Sequence, residues 1–444
     1  MPEFKPFRGV RYSVSRTGTD LSGVICPPYD LISASDQDSY YKLDAHNAVR
    51  IDFGKVLPGD NEQENRYTRA AALFREWLSA GILVQDSEPA YYLLEEHFED
   101  DRGQELLRHG VIGLKHLEEN RPGTSVRPHE ATYAGPKQDR FELMKAAEAN
   151  LSPVFGVYQD PAFRLEKIFL NELPRDRFLD ARGWDGVNRR LFVVSHPHTV
   201  SRIEELFHDM PLLIADGHHR YETSLAYRDW RRIRDPQPGK EQPYDYTLMY
   251  LANLESAGVC VYPTHRLIKN VSGLDSKGFF STLRELFEVK ELGSAASPSA
   301  GEELTCGLAE TPAGAVRFGC CFKEPDRCCL ITARDPEALG HLFPSDTAPM
   351  LRSLDVSILH QIILGKCLGI PREEQTRGEV LEYAKGIQVA LDLLVQRADL
   401  RGAFLLNPPD LRRIMKIAFA GLVMPQKTTY FFPKVPTGLV FRKM

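Results

Sequence analysis

Residues 211–230 read "PLLIADGHHRYETSLAYRDW". Leu212, Leu213 and Ile214 form a short apolar run with the character of a buried strand. Asp216 suits a helix N-cap and Gly217 a tight turn, and Tyr221, Leu225 and Ala226 carry a helix onward. A strand feeding directly into a helix aims its first backbone N–H groups at a common point, which makes an anion site. His218, His219 and Arg220 occupy that first turn, where the macrodipole disfavours positive charge. An anion resolves the conflict. Arg220 offers a bidentate fork for phosphate oxygens, and either histidine can donate or shuttle a proton. The bland alternative pairs Arg220 with Asp216 or Glu222 and buries the histidines as donors.

Three further stretches carry chemistry. In "VRPHEATYAGPKQDR" (126–140), His129 and Glu130 precede a polar turn, and Lys137, Asp139 and Arg140 open a helix. Glu130 is a candidate general base and Lys137 a partner for phosphate or carboxylate; a solvated loop before a capped helix is the alternative. In "ICPPYDLI" (25–32), two prolines fix an extended turn that positions Tyr29 and Asp30, and a structural turn is the simpler reading. In "MPQKTTYFFPKVPTGLVF" (424–441), Lys427, Thr428 and Thr429 are pocket candidates, although a segment packed on the core explains the phrase as well.

Composition bounds the function. The 444 residues are 43% hydrophobic and 26% charged, with a formal net charge of -6, so a globular protein of two or three domains is expected. Charges of both signs are interspersed, and no basic footprint for nucleic acid exists. The N-terminus lacks a signal-peptide pattern, and apolar runs such as "IAFAGLVM" (417–424) are too short to span a bilayer. The expectation is a soluble cytoplasmic protein without membrane partners. Eight cysteines include Cys320-Cys321 and Cys328-Cys329 around "FKEPDR"; a β-hairpin accounts for them better than zinc, whose usual spacing differs, and no metal ligands are assigned. The other cysteines are scattered, as in a reducing compartment. The Walker, dinucleotide, nucleophile-elbow and zincin motifs are all absent.

Periodicity gives a mixed chain. Residues 1–60 contain little helix, with 46–54 ("HNAVRIDFG") reading as a strand. Tyr67, Ala70, Ala71, Phe74, Trp77 and Leu78 mark an amphipathic helix ending at Gly81. A hairpin over 89–117, strands at 152–160, 190–195, 211–215, 246–252 and 257–262, and helices near 199–208 and from 218 follow. Residues 291–301 are a linker or exposed loop; beyond them come a hairpin at 314–332 and helices near 355–368, 386–397 and 409–419. The fold class is α+β (mixed α/β).

The phrases "ICPPYD", "RPHEATYAGPKQDR", "NLSPVFGVY", "IADGHHRYET", "FLLNPP" and "MPQKTTYFFPKVPTGLV" together resemble the domain-of-unknown-function family 1015. "ADGHHRYETSLAY" is similar, more distantly, to the phosphate turn of the ParB/sulfiredoxin superfamily, and most of all to that of free serine kinases. Histidines at 218 and 219 replace the reactive cysteine of sulfiredoxins, and ParB-type DNA-binding helices are not evident. The resemblance implies a ParB/sulfiredoxin-like nucleotide-binding core at 121–290, between α/β regions at 1–120 and 291–444. It implies ATP or ADP as cofactor with Mg2+, and a phosphotransferase interconverting serine and phosphoserine in either direction. Asp216, Gly217, His218, His219 and Arg220 would bind phosphate, and Glu130, His218 and His219 would be catalytic. His129, Thr132, Lys137, Arg140, Tyr29 and Asp30 would bind the small-molecule substrate. A nucleotide sensor without turnover and a water-using phosphoserine phosphatase are the rival classes, and a homo-oligomer is left open.

Overall fold

The computed structural model describes residues 3–121, 123–130, 134–173, 178–237, 239–269, 276–376, 379–425 and 427–444. Two compact units divide the chain. Unit 1 comprises Met1–Pro128, Thr132–Cys260 and Phe431–Met444; unit 2 comprises His129–Ala131 and Val261–Tyr430. The last fourteen residues belong with the first unit.

Unit 1 is built on a nine-stranded mixed sheet. Its strands are β1 (Phe4–Lys5), β2 (Tyr91–Glu99), β3 (Glu105–His116), β4 (Val126–Arg127), β5 (Val154–Tyr158), β6 (Leu179–Arg182), β7 (Asn188–Val194), β8 (Leu212–Asp216) and β9 (Tyr246–Asn253). They lie in the order β4-β8-β5-β9-β3-β2-β7-β6, with β1 also on β3. The β4–β8 and β5–β9 pairs are parallel and the rest antiparallel. Every residue of β9 is buried, as the apolar run at 248–252 requires of a central strand. Gly110 on β3 is needed opposite β9, because a Cβ there would lie 2.2 Å from the Tyr250 ring. That ring's hydroxyl donates to Glu96, which is fully buried between Arg108 and Arg189.

Three helices matter here: α1 (Arg66–Ser79), α2 (Ala134–Ala147) and α3 (His218–Arg234), with α2 packed on the other two. The expected apolar stripe of α1 buries Ala70, Ala71, Phe74 and Trp77, and Asn65 caps its start through the N–H groups of Tyr67 and Thr68. Two sequence expectations fail near the N-terminus. Residues Val49–Asp52 form a helical turn, not a strand, because the Asn47 side chain accepts from the Val49 N–H and donates to Gly23 and Ile25. Ala34–Leu43 is a ten-residue helix started by a Ser33/Asp36 capping box, a local signal that outweighs the Pro- and Gly-rich surroundings.

Unit 2 carries a six-stranded antiparallel sheet. Its strands are β10 (His265–Lys269), β11 (Phe287–Gly293), β12 (Arg317–Lys323), β13 (Asp326–Ala333), β14 (Leu381–Ala384) and β15 (Leu400–Leu405), in the order β11-β13-β12-β15-β10-β14. Both faces are covered. Phe279, Phe318, Phe322, Ile362 and Phe404 pack on one, and Leu304, Leu330, Leu391 and Leu405 on the other. The β12–β13 hairpin sets Cys320 opposite Cys329 and Cys321 opposite Cys328. Alternation sends these two pairs to opposite faces, as expected, and Cys321 and Cys328 are joined as a disulfide that spacing alone did not reveal. The helix expected over 355–368 begins as α4 (Asp355–Ile358) and widens to a π-helix over Leu359–Cys367. The helices α5 (Ile387–Gln396) and α6 (Leu411–Phe419) fall where periodicity puts them. Among the described residues, no helix is long and apolar enough to cross a membrane.

Candidate functional site

The turn after β8 explains its own cations. The N-cap of α3 is Gly217, at φ 84°, so Asp216 ends the strand and does not cap the helix as the sequence suggested. A glycine suits the left-handed cap, since it carries no Cβ penalty there. The Asp216 carboxylate is instead occupied from two sides. Arg220 Nη2 donates to one oxygen at 2.7 Å, and Lys434 Nζ to the other at 2.6 Å. Arg220 Nη1 also donates to the carbonyl of Pro153. The guanidinium is thereby folded back over the turn, with its Nε 2.8 Å from the place a Gly217 Cβ would take. That Nε is buried and makes no hydrogen bond among the described residues. His218 is buried and His219 partly so, both within the first helical turn. The pairing of Arg220 with Asp216 is the bland alternative anticipated above; the second cation on the same carboxylate was not anticipated.

Lys434 is held in place from behind. It is 5% exposed, and its carbonyl accepts from Arg189 Nη2 at 3.0 Å, a guanidinium whose Nε bonds Glu96. Lys434 lies in the same C-terminal phrase as the pocket candidates Lys427, Thr428 and Thr429. A lysine among aromatics and prolines was the available signal, because a buried lysine needs an acidic partner.

Arg140 and Arg220 line one small cavity of about 30 Å3, room for a water molecule, with Asp52, Ser152, Thr223 and Thr247. Arg140 is buried, donates to the carbonyl and carboxylate of Asp52 and to Asp139, and lies 4.1 Å over the Tyr29 ring. Burial pushes the Tyr29 hydroxyl well above the usual phenol range; Asp30 adds to this, while Arg140 and Arg220 oppose it. Asp30 itself is exposed. Lys137 makes a surface ion pair with Glu222 at 2.8 Å. The structure thus gathers Tyr29, Arg140, Asp216, Gly217 and Arg220 in unit 1, with Asp52 and Lys434 as members the sequence reading missed. Thr132 lies outside the described residues.

His129 and Glu130 belong to unit 2. The Glu130 carboxylate accepts from the backbone N–H of Lys427 at 3.2 Å and from the N–H and Oγ1 of Thr429 at 3.0 and 3.1 Å. Fully buried His129 lies with Nε2 2.8 Å from Thr429 Oγ1, giving a His129–Thr429–Glu130 chain of hydrogen bonds. Beside it runs a second chain: buried Arg266 donates to the Lys427 carbonyl and to His360 Nε2, and His360 Nδ1 lies 2.8 Å from Gln375 Oε1. Burial pulls the Arg266 guanidinium down to about 10, and burial with the Arg266 charge pulls the His360 imidazole down to about 3.

The model of a family described as protein of unknown function (DUF1015) matches residues 4–357. No curated protein matches the chain. Among solved structures, a free serine kinase in complex with AMP aligns at 15% identity and TM-score 0.34, over 71% of this chain and 89% of that one. A mutant free serine kinase in complex with ADP aligns at 14% identity and TM-score 0.34, over the same 71% and 89%. A conserved hypothetical protein from Pyrococcus furiosus aligns at 15% identity and TM-score 0.34, over 72% and 92%.

Proposed function

The chain belongs to the DUF1015 family of proteins of unknown function, and from its site we propose a nucleotide-dependent phosphotransferase acting on a small hydroxylated metabolite. One observation carries this: two buried cations, Arg220 and Lys434, converge on the single carboxylate of Asp216 at the glycine-capped start of α3. Positive charge collected where a helix already presents a positive end is an arrangement that an anion completes. In this reading the anion is a nucleotide phosphate. The backbone N–H groups from Gly217 to Arg220 receive it. Arg220 stabilises charge on the transferred phosphoryl group, and His218 or His219 donates or shuttles a proton. Magnesium, when bound, neutralises further phosphate charge. Among the described residues no group of three His, Cys, Asp or Glu converges to hold an ion, so phosphate oxygens and water are its expected ligands. ATP or ADP, with serine or phosphoserine, are the pairs to test, because the "IADGHHRYET" turn resembles that of free serine kinases.

Glu130 enters as general base on that resemblance alone. Its bonding favours a second reading, a nucleotide-binding sensor without turnover. Three hydrogen bonds from the 427–429 segment stabilise the ionised carboxylate, which suits an anchor more than a proton acceptor. One experiment separates the readings. Purified protein is incubated with phosphoserine and ADP, and with serine and ATP, and the products are followed by 31P NMR. Transfer between nucleotide and serine supports the phosphotransferase, and free phosphate from phosphoserine alone indicates a phosphatase. ADP binding without either product indicates a sensor. Arg220→Ala and Lys434→Ala should each weaken ADP at least about tenfold, the loss of one charge-assisted contact. Unchanged affinity in both variants, measured by calorimetry, would remove the anion assignment itself.

A further inference from the structure

Unit 2 contains a cavity of about 380 Å3 that the proposed chemistry does not use. It falls at the low end of the roughly 300–1,000 Å3 typical of small-molecule sites. Its walls are mixed: Val316, Leu354, Leu406, Ile414 and prolines at 263, 336, 408 and 409 form an apolar part, and Thr264, Ser353, Asn407 and Thr428 add uncharged polar groups. Three charged side chains line it: Asp355, Asp410 and Arg413.

These three are not equivalent. Asp410 is committed to the fold, because its Oδ1 caps α6 through the N–H groups of Arg412 and Arg413. Arg413 is partly exposed and bonds Ser353 through Nη2, at 2.7 Å to the carbonyl and also to the hydroxyl. Asp355 opens α4 without acting as its N-cap, and burial pushes its carboxyl up to about 6, with Arg413 opposing. A carboxyl raised by desolvation regains its ordinary acidity when a cation is placed beside it. The cavity therefore offers a carboxyl and a guanidinium, groups of opposite charge, beside an apolar wall. The complementary ligand is a small zwitterion with an apolar body.

We propose that this cavity binds a free amino acid with an aliphatic side chain, its α-ammonium on Asp355, its α-carboxylate on Arg413 and its side chain against Val316, Leu354 and Ile414. This site belongs to unit 2, and the proposal does not depend on the activity proposed for the turn of unit 1.

The test is calorimetric titration of the full chain with leucine, with 3-methylbutylamine, which lacks the carboxylate, and with 4-methylpentanoate, which lacks the ammonium. Leucine should bind, and each analogue should bind at least tenfold more weakly. Asp355→Asn should lose the preference for leucine over 4-methylpentanoate while keeping that over the amine. Arg413→Gln should do the reverse. Circular dichroism checks each fold, and if one variant fails to fold the other still carries the test. No binding of leucine, isoleucine or valine at 10 mM, equal binding of leucine and both analogues, or unchanged preferences in a folded variant would each overturn the proposal.

Discussion

Replacing Gly217 by alanine should separate the geometry of the turn from the mere presence of its cations. Two costs add. The first is conformational: at φ 84° an L-residue is strained by about 1–2 kcal/mol. The second is steric: the new Cβ would meet Arg220 Nε at 2.8 Å, so the guanidinium must leave its place between Asp216 and the Pro153 carbonyl. Hydrogen bonds to charged groups contribute about 1.5–3 kcal/mol each, and Asp216 keeps Lys434, so roughly 2–3 kcal/mol is expected from this term. Gly81 supplies the control. Its φ is 69°, it ends α1 in the left-handed helix-end motif with the Ile82 N–H on the Trp77 carbonyl, and nothing lies within 4 Å of its would-be Cβ, so Gly81→Ala carries the first cost only. All three tryptophans, Trp77, Trp184 and Trp230, belong to unit 1, so urea unfolding followed by tryptophan fluorescence reports on that unit. Gly217→Ala should lose about 2–3 kcal/mol more than Gly81→Ala, and its ADP affinity should fall at least tenfold while that of Gly81→Ala holds. Equal losses of stability and equal ADP affinities in the two variants would refute the placement of Arg220 and the role given to it.

Glu96→Gln removes one charge from a fully buried network with Arg108, Arg189 and Tyr250, and should cost about 3–5 kcal/mol in the same fluorescence assay; a loss below about 1 kcal/mol would contradict the network. In unit 2, burial with the neighbouring Arg266 charge holds the His265 and His360 imidazoles down to about 4 and 3. Their folded values lie below the ordinary 6.5, so the stability they contribute is present above pH 6.5 and lost as the pH falls through 4 and then 3. Hydrogen exchange of β10 and β15 should quicken over that range, after correction for intrinsic rates, and His265→Gln should flatten the response. Reducing the Cys321–Cys328 disulfide should lower the stability of unit 2 by no more than about 2 kcal/mol, because the hairpin ladder already holds the two residues opposite each other. Denaturant unfolding followed by circular dichroism, with and without reductant, measures this, and collapse of the sheet on reduction would show the ladder to be insufficient.

Regular elements were legible at several places where one face of an element is apolar and the other polar, although the helix Arg164–Glu172, which buries Leu165, Ile168 and Phe169 on one face, was not. Helix α1 and the 91–116 hairpin follow their periodicity because burial and local propensity agree. The short turns near the N-terminus were not legible, since Val49–Asp52 is decided by the Asn47 side chain reaching backbone more than twenty residues away. The disulfide escaped for a related reason. Spacing favoured a hairpin over a zinc pattern, but only register tells which cysteines of a hairpin face each other.

The candidate site divides along the same line. Arg220 announced itself because it violates a local rule, a cation at a helix start, and violations visible within one turn can be read from the chain. What answers the violation is local only in part. Asp216 lies four residues before Arg220, but Pro153 is 67 residues away and Lys434 is 218 residues from Asp216. Lys434 is held by Arg189, which is held by Glu96, so the position of one cation rests on a network buried among the sheet strands. The turn proposed to bind phosphate, with its second cation fixed this way, should depend on the integrity of that network. Glu96→Gln should then weaken ADP as well as the fold, whereas a destabilising change away from Arg189 should spare ADP affinity in the folded fraction.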